Sequence, residues 1–175
     1  MLPVVRVRAR QPSDLDSCLL VLKRVHDTMR YPMVWPADPQ AWLTGGRQVC
    51  AFVAELDGVI CGHVAVARPM PGEAASAWAA EFRVAVGELL CISLLFVDPQ
   101  AQGSGVGSRL LDVAQADILD LGATPALEVI SLNTRAIGLY EARGWRRIGS
   151  VGYSWLPEPE RSFLYVGAPN HSASS

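Results

Sequence analysis

The chain has 175 residues, 50% of them hydrophobic and only 18% charged, so it has the apolar mass for a full core and is neither a disordered regulator nor a charged coil. Its 15 basic and 17 acidic side chains leave a formal charge of −2, which argues against a nucleic-acid partner, because that partner needs a basic face to displace its counterions. Lys23 is the single lysine, which excludes a lysine-dependent phosphate loop anywhere beyond it.

Val4-Val5-Arg6-Val7-Arg8 alternates from Val5 onward and predicts a strand. Pro12-Ser13-Asp14-Leu15-Asp16 predicts a helix start, with Ser13 as its cap and Asp16 three residues on. That helix runs through Leu19, Leu22 and His26 to about Arg30. Tyr31-Pro32-Met33-Val34-Trp35-Pro36 is too rich in proline for a regular element. Asp38 caps a short helix through Trp42, ended by Gly45-Gly46. Strands over 48–56 and 59–68 flank Asp57-Gly58, a type I′ hairpin signal. Pro69-Met70-Pro71-Gly72 breaks the chain, and residues 74–80 read equally as a short helix or a loop. Residues 88–97 predict a central strand buried on both faces.

Asp98-Pro99 ends that strand, and residues 100–107 form a glycine-rich turn. Residues 108–121 predict an amphipathic helix, with Leu110, Val113, Ala114, Ile118 and Leu121 inward and Asp112, Gln115, Asp117 and Asp120 outward. A strand over 125–132, a helix from the Asn133 cap to Arg143, and strands over 145–153 and 161–166 complete the chain. The order β-α-α-β-β-β-α-β-α-β-β predicts an α/β (α+β) sheet protein with helices on both faces. Residues 1–168 form one domain in this reading, and residues 169–175 a disordered polar tail.

Cys18, Cys50, Cys61 and Cys91 sit in apolar runs without a C-x-x-C pair, which favours buried free thiols and a reducing compartment. His26, His63 and His171 are too scattered for a zinc cluster, so no metal site is expected. No window is apolar enough to span a membrane and no signal peptide is legible, so a cytoplasmic protein without membrane partners is expected.

The most informative segment is Val97-Asp98-Pro99-Gln100-Ala101-Gln102-Gly103-Ser104-Gly105-Val106-Gly107-Ser108. It joins a central strand to a helix N-terminus. Its glycines let backbone N–H groups converge, and the helix start adds unpaired donors and partial positive charge. The site suits an anion, a pyrophosphate above all. The dinucleotide fingerprint fits poorly: the third glycine falls one residue early, and the following strand offers only Glu128. The pattern Q/R-x-x-G-x-G/A is matched at every fixed position by Gln102-Gly103-Ser104-Gly105-Val106-Gly107.

That loop resembles the acetyl-coenzyme A loop of the GNAT superfamily of N-acetyltransferases. Asn133-Thr134-Arg135-Ala136-Ile137-Gly138-Leu139-Tyr140-Glu141-Ala142-Arg143-Gly144-Trp145 is similar to the family's N-x-x-A-x-x-L-Y-E-x-x-G-F block, with Trp in place of Phe. The resemblance covers roughly residues 4–166 and implies a central, mostly antiparallel mixed sheet of six or seven strands. It implies a fourth strand splayed from the fifth at a bulge, with Leu95, Phe96 and Val97 contacting pantetheine through backbone atoms. Gln102, Gly103, Ser104, Gly105, Val106, Gly107 and Ser108 would hold the pyrophosphate. Arg109 reads as either a phosphate contact or a solvated side chain.

The resemblance further implies that Asn133, a helix cap in any case, touches coenzyme A. It makes Tyr140 the general acid that protonates the departing thiolate. Glu88, at the start of the fourth strand, ranks first as general base, ahead of Glu128 and His63. Cys91 has no recognisable His/Asp partner and reads as core rather than as a nucleophile. Tyr31, Trp35 and Trp78 are candidates to line the acceptor pocket, with Trp35 and Trp42 equally readable as core anchors. The implied reaction moves an acetyl group from acetyl-CoA to a primary amine of a small molecule. Alternatives are peptide N-terminal acetylation, a non-catalytic coenzyme A sensor and a nucleotide-binding module. Family members pair, so a homodimer is possible, although no seam is legible.

Overall fold

The computed structural model describes residues 3–167. The elements are β1 (Val5–Ala9), α1 (Leu15–Met29), α2 (Pro39–Leu43), β2 (Gln48–Leu56), β3 (Val59–Ala67), α3 (Glu73–Phe82), β4 (Leu89–Val97), α4 (Val106–Asp120), β5 (Thr124–Ile130), α5 (Thr134–Ala142), β6 (Arg146–Val151) and β7 (Ser162–Val166). Short 3-10 turns occupy Pro12–Asp14, Val86–Glu88 and Pro99–Ala101. Seven strands form one open, mostly antiparallel sheet, as the resemblance implies, and their order is β1-β2-β3-β4-β5-β7-β6. The parallel pair is β4 with β5, matched at Leu89 with Thr124, Leu90 with Pro125 and Cys91 with Ala126. The tail expected at 169–175 lies outside the described residues.

The chain gathers into two compact units, one from residues up to Arg68 with Ile92–Asp117, the other from Pro69–Cys91 with the chain from Ile118 on. In the first unit, α1 buries Cys18, Val21, Leu22 and Val25, the i, i+3, i+4, i+7 stripe of an amphipathic helix. These pack with Leu43, Val53 and Phe96. The β2–β3 hairpin turns at Asp57 and Gly58, with φ of 51° and 80°, as the type I′ signal predicts. α4 lies close on β3: a Cβ on Gly62 would fall 2.9 Å from Leu110 Cδ1 and 3.0 Å from Val106 Cγ1.

In the second unit, Trp78 from α3 packs with Leu89, Cys91, Ala126, Val151, Leu164 and Val166. The ambiguous stretch at 74–80 is thus a helix, and its alanines allow the close approach that seats Trp78.

Three local expectations are corrected. Ser13 does not cap α1; the cap position falls to Asp14, whose carboxylate accepts the Gln11 N–H and an Arg8 guanidinium N–H, each at 2.7 Å. The Asp14 side chain thus closes the 3-10 turn before α1 instead of capping the helix's own amides. Leu121 lies past the end of α4 and is exposed, while Leu111 is buried in its stead. Glu88 does not open β4; it closes the 3-10 turn before it.

Candidate active site

In the first unit, β4 carries an irregularity where the glycine turn's approach begins. Leu94 has a φ of 49°, left-handed for a branched residue. Opposite it on β3, His63 is fully buried. Its Nδ1 lies 2.9 Å from the Leu94 carbonyl and its Nε2 lies 2.9 Å from Arg10 Nη1. The ring stacks on Phe96 at 5.0 Å and 16°. Burial, and secondarily the Arg10 charge, push the His63 pKa down to about 4, against the contrary pull of the Leu94 carbonyl. A neutral, fully enclosed imidazole with both nitrogens occupied is no general base.

Beyond Val97, Asp98 organises the turn. Its N–H donates to the Cys61 carbonyl at 2.7 Å, and its Oδ1 accepts the Gln100 N–H at 3.0 Å. Its Oδ2 accepts Arg24 Nε at 2.8 Å, tying the turn to α1. Gln102 is extended, and its amide donates to Met29 Sδ at 2.8 Å. Gly103 and Gly105 follow with φ of 82° and 81°, and a Cβ on either would meet nothing within 4 Å. The Ser104 hydroxyl donates back to the Ala101 carbonyl. α4 closes its first bond from Arg109 N–H to the Gly105 carbonyl at 3.1 Å, so the amides of Val106, Gly107 and Ser108 precede the intrahelical ladder. Gly103, Ser104 and Gly105 are exposed beside these donors. The helix therefore starts two residues earlier than the sequence predicts, and the glycine turn includes its first turn. Arg109 is exposed, and its Nη1 donates to the Val5 carbonyl at 2.7 Å.

Tyr31 and Trp35 are half-buried against the core of the first unit. Tyr31 sits 6.4 Å from Trp42 and 6.5 Å from Phe96, ring to ring, and His26 sits 5.3 Å from Trp35. Burial pushes the Tyr31 hydroxyl well above the usual phenol range. Lys23 Nζ pairs with Asp27 and lies 5.7 Å from the Trp35 ring centroid.

In the second unit, Asn133 caps α5 by accepting the Ala136 N–H at 3.2 Å. Tyr140, 6% exposed, lies between the Trp145 and Tyr165 rings, at 6.5 and 6.1 Å. Glu88 is exposed at the end of the turn before β4, and its carboxylate accepts the Ala85 N–H at 2.7 Å. Glu128 stands exposed on β5 between buried Leu127 and Val129. Its Oε2 accepts hydroxyls from Tyr153 and Ser162, both at 2.9 Å. Tyr153 in turn stacks on exposed Trp155 at 5.4 Å and 14°. Trp78, expected at an acceptor pocket, is 2% exposed in the core, where the largest apolar side chain of α3 gains most by burial.

Cys18, Cys61 and Cys91 are buried free thiols; Cys50 is only half-buried and donates to Asp117 Oδ2 at 3.1 Å. Burial first, then Glu128, pushes the Cys91 thiol up to about 12, so it is not a thiolate nucleophile. Sequence reasoning missed Arg10, Leu94 and the Arg24–Asp98 tie. Asp98-Pro99 was a visible strand end, but nothing in residue type marks Leu94 as left-handed.

A family model for the acetyltransferase (GNAT) family matches residues 20–145, and the chain belongs to that family. A mycothiol acetyltransferase of Geodermatophilus obscurus is 42% identical over 72 residues, 41% of this chain and 22% of that one, so the match spans about a fifth of that relative's length. The fold is shared with yncA of Salmonella typhimurium, solved with its cofactor acetyl-CoA, at a TM-score of 0.69 and 17% identity over 98% of both chains. It is also shared with an N-acetyltransferase of Staphylococcus aureus Mu50, at a TM-score of 0.67 and 21% identity over 93% of this chain and 96% of that one. Among the described residues, no helix is long and apolar enough to cross a membrane.

Proposed function

We propose that the chain transfers an acetyl group from acetyl-coenzyme A to a primary amine of a small molecule, with donor and acceptor bound together. The observation that carries this is the exposed turn at Gly103 and Gly105, opening directly onto the first amides of α4. The fit is good: two left-handed glycines with open space at the Cβ position leave a bare backbone surface, and the helix start gives it positive character. In this reading the residues from Gln102 to Ser108 bind the pyrophosphate through backbone N–H groups. Acetyl-coenzyme A, when bound, supplies a thioester that an amine can attack.

Leu95, Phe96 and Val97 hold the pantetheine arm by their backbone. The Phe96 side chain is committed to the core, so its main-chain atoms are what it can offer. Asn133 adds a polar contact to coenzyme A from its half-buried position at the start of α5. Tyr140 Oη delivers the proton to the departing sulfur. Of the bases the sequence offers, Glu128 takes the task, because its exposed carboxylate is oriented by two hydroxyl donors while that of Glu88 caps a turn. Tyr31 and Trp35 serve the acceptor. The mycothiol acetyltransferase match supports a small-molecule acceptor. The free cysteines support a cytoplasmic setting.

Thiol release from acetyl-coenzyme A over a panel of amines tests the reading, with a thermal-shift series alongside. Turnover of a small amine is expected, and Tyr140→Phe should lower kcat about a hundredfold or more. Turnover of amino-terminal peptides alone would move the acceptor to peptides. Coenzyme A binding without release to any acceptor would leave a sensor, and stabilisation by ATP or NAD in its place would overturn the reading outright.

A further inference from the structure

We propose that His63 is a positioning residue for the donor: braced by Arg10, its imidazole holds the Leu94 carbonyl and so fixes the left-handed turn from which the backbone of Leu95, Phe96 and Val97 is presented. This rests on the reading above, in which those three residues hold the pantetheine arm.

The proton assignment follows from the partners. A guanidinium has no acceptor and keeps its charge in proteins, so Arg10 Nη1 donates to His63 Nε2 across 2.9 Å. Nε2 therefore presents its lone pair, and the ring proton sits on Nδ1. From there it is donated to the Leu94 carbonyl, also at 2.9 Å. Arg10 is itself anchored. Nη1 also donates to the Leu43 carbonyl, Nη2 to Gln48 Oε1, both at 3.2 Å, and its backbone N–H to the Ala51 carbonyl at 2.9 Å.

The brace acts on β4 at two points. One is the carbonyl of Leu94, whose φ of 49° a branched residue keeps only when its surroundings over-determine it. The other is the Phe96 ring, stacked on the imidazole at 5.0 Å. One rigid group thus grips residues 94 and 96 and sets the direction of the main chain between them. Arg10 is the charged group that faces His63, and its charge opposes protonation of the ring. The strut keeps one tautomer and one charge state, as a structural hydrogen-bond donor must.

Two measurements test this. The first reads the native protein: ¹⁵N NMR of the imidazoles should show His63 as the Nδ1–H tautomer without titration between about pH 5.5 and 9. An Nε2–H tautomer, or a midpoint near that of a free imidazole, would overturn the proposal. The second is calorimetric titration with coenzyme A. His63→Phe keeps the stacking and the burial but leaves the Leu94 carbonyl and the Arg10 N–H without partners, and should weaken binding about tenfold or more. His63→Asn, with an amide nitrogen in the place of Nδ1, should recover part of that loss. The KM for the amine should stay unchanged in both. Native-like binding by His63→Phe would sink the strut. Should the native protein show the expected tautomer yet take up no coenzyme A, the functional reading fails first, and the donor role falls with it. The NMR result stands on the unaltered chain, so a variant that does not fold does not shelter the proposal.

Discussion

Burial holds the His63 imidazole neutral, and this has a consequence for stability in mild acid. With the pKa lowered from 6.5 to about 4, the unfolded chain binds a proton in that interval that the folded chain does not. Stability therefore rises with pH across it, and about 3 kcal/mol is lost as pH falls from 6.5 to 4. Urea unfolding at constant ionic strength should show that slope, and His63→Phe should flatten it. Asp14 acts elsewhere: its hydrogen bond to Arg8 holds the carboxyl below 3.8, so its contribution disappears only in stronger acid. At Glu128 the expectation is spectroscopic. The Tyr153 hydroxyl is raised by burial and then by its bond to Glu128. Glu128→Gln should lower the ultraviolet titration midpoint of that phenol while reducing thiol release at neutral pH; an unmoved midpoint would contradict the contact. Tyr140 and Asn133 are legible in the sequence because their block fixes them relative to one helix. The partnership of Arg10 with His63 is not, because 53 residues separate them and no local pattern connects them.

Elements meet at Gly62, where α4 crosses β3 without room for a methyl group. Gly62→Ala would place a Cβ 2.9 Å from Leu110 Cδ1 and 3.3 Å from the Phe96 carbonyl. Leu110 is fully buried and cannot swing away, so the cost should be about 1–3 kcal/mol in thermal unfolding. Retention of native stability would mean that the helix yields more easily than its packing suggests. The turn before α4 is readable because glycine itself marks positive φ at 103 and 105, although the helix start is read two residues late. The bend at Leu94 is hidden, because leucine marks nothing of the kind. Glu88 misleads for a different reason. Leu89 onward reads as one apolar run, and a residue at its edge belongs equally well to the strand or to the turn preceding it; the Ala85 N–H decides for the turn. The alanines of α3 carry no polar face to set a period, so the sequence leaves helix and loop level until Trp78 finds its core.

At the scale of the molecule, ligand binding should be visible as a gain in overall stability. A ligand present at a hundred times its Kd adds about 2.7 kcal/mol, which for a chain of this size raises Tm by about 5–10 °C. Acetyl-coenzyme A should do this and ATP should not; equal shifts from both would mean that the glycine turn recognises phosphate alone. The mostly antiparallel character of the sheet was accessible from the sequence only through the resemblance, and the strand order was not read at all, since apolar periodicity predicts strands but not their neighbours. The balanced charge, −2 over the whole chain, gives no broad field to draw in a polyanion, so donor recognition falls on local amides.

The single lysine of this chain leans on Trp35 with Asp27 beside it. An amine-reactive dye thus has one ε-nitrogen to find, and it marks the neighbourhood assigned to the acceptor without any engineered cysteine. Isotopically heavy acetyl found on lysine after turnover would likewise trace to that one side chain, which turns a scarcity of lysine into a built-in reporter.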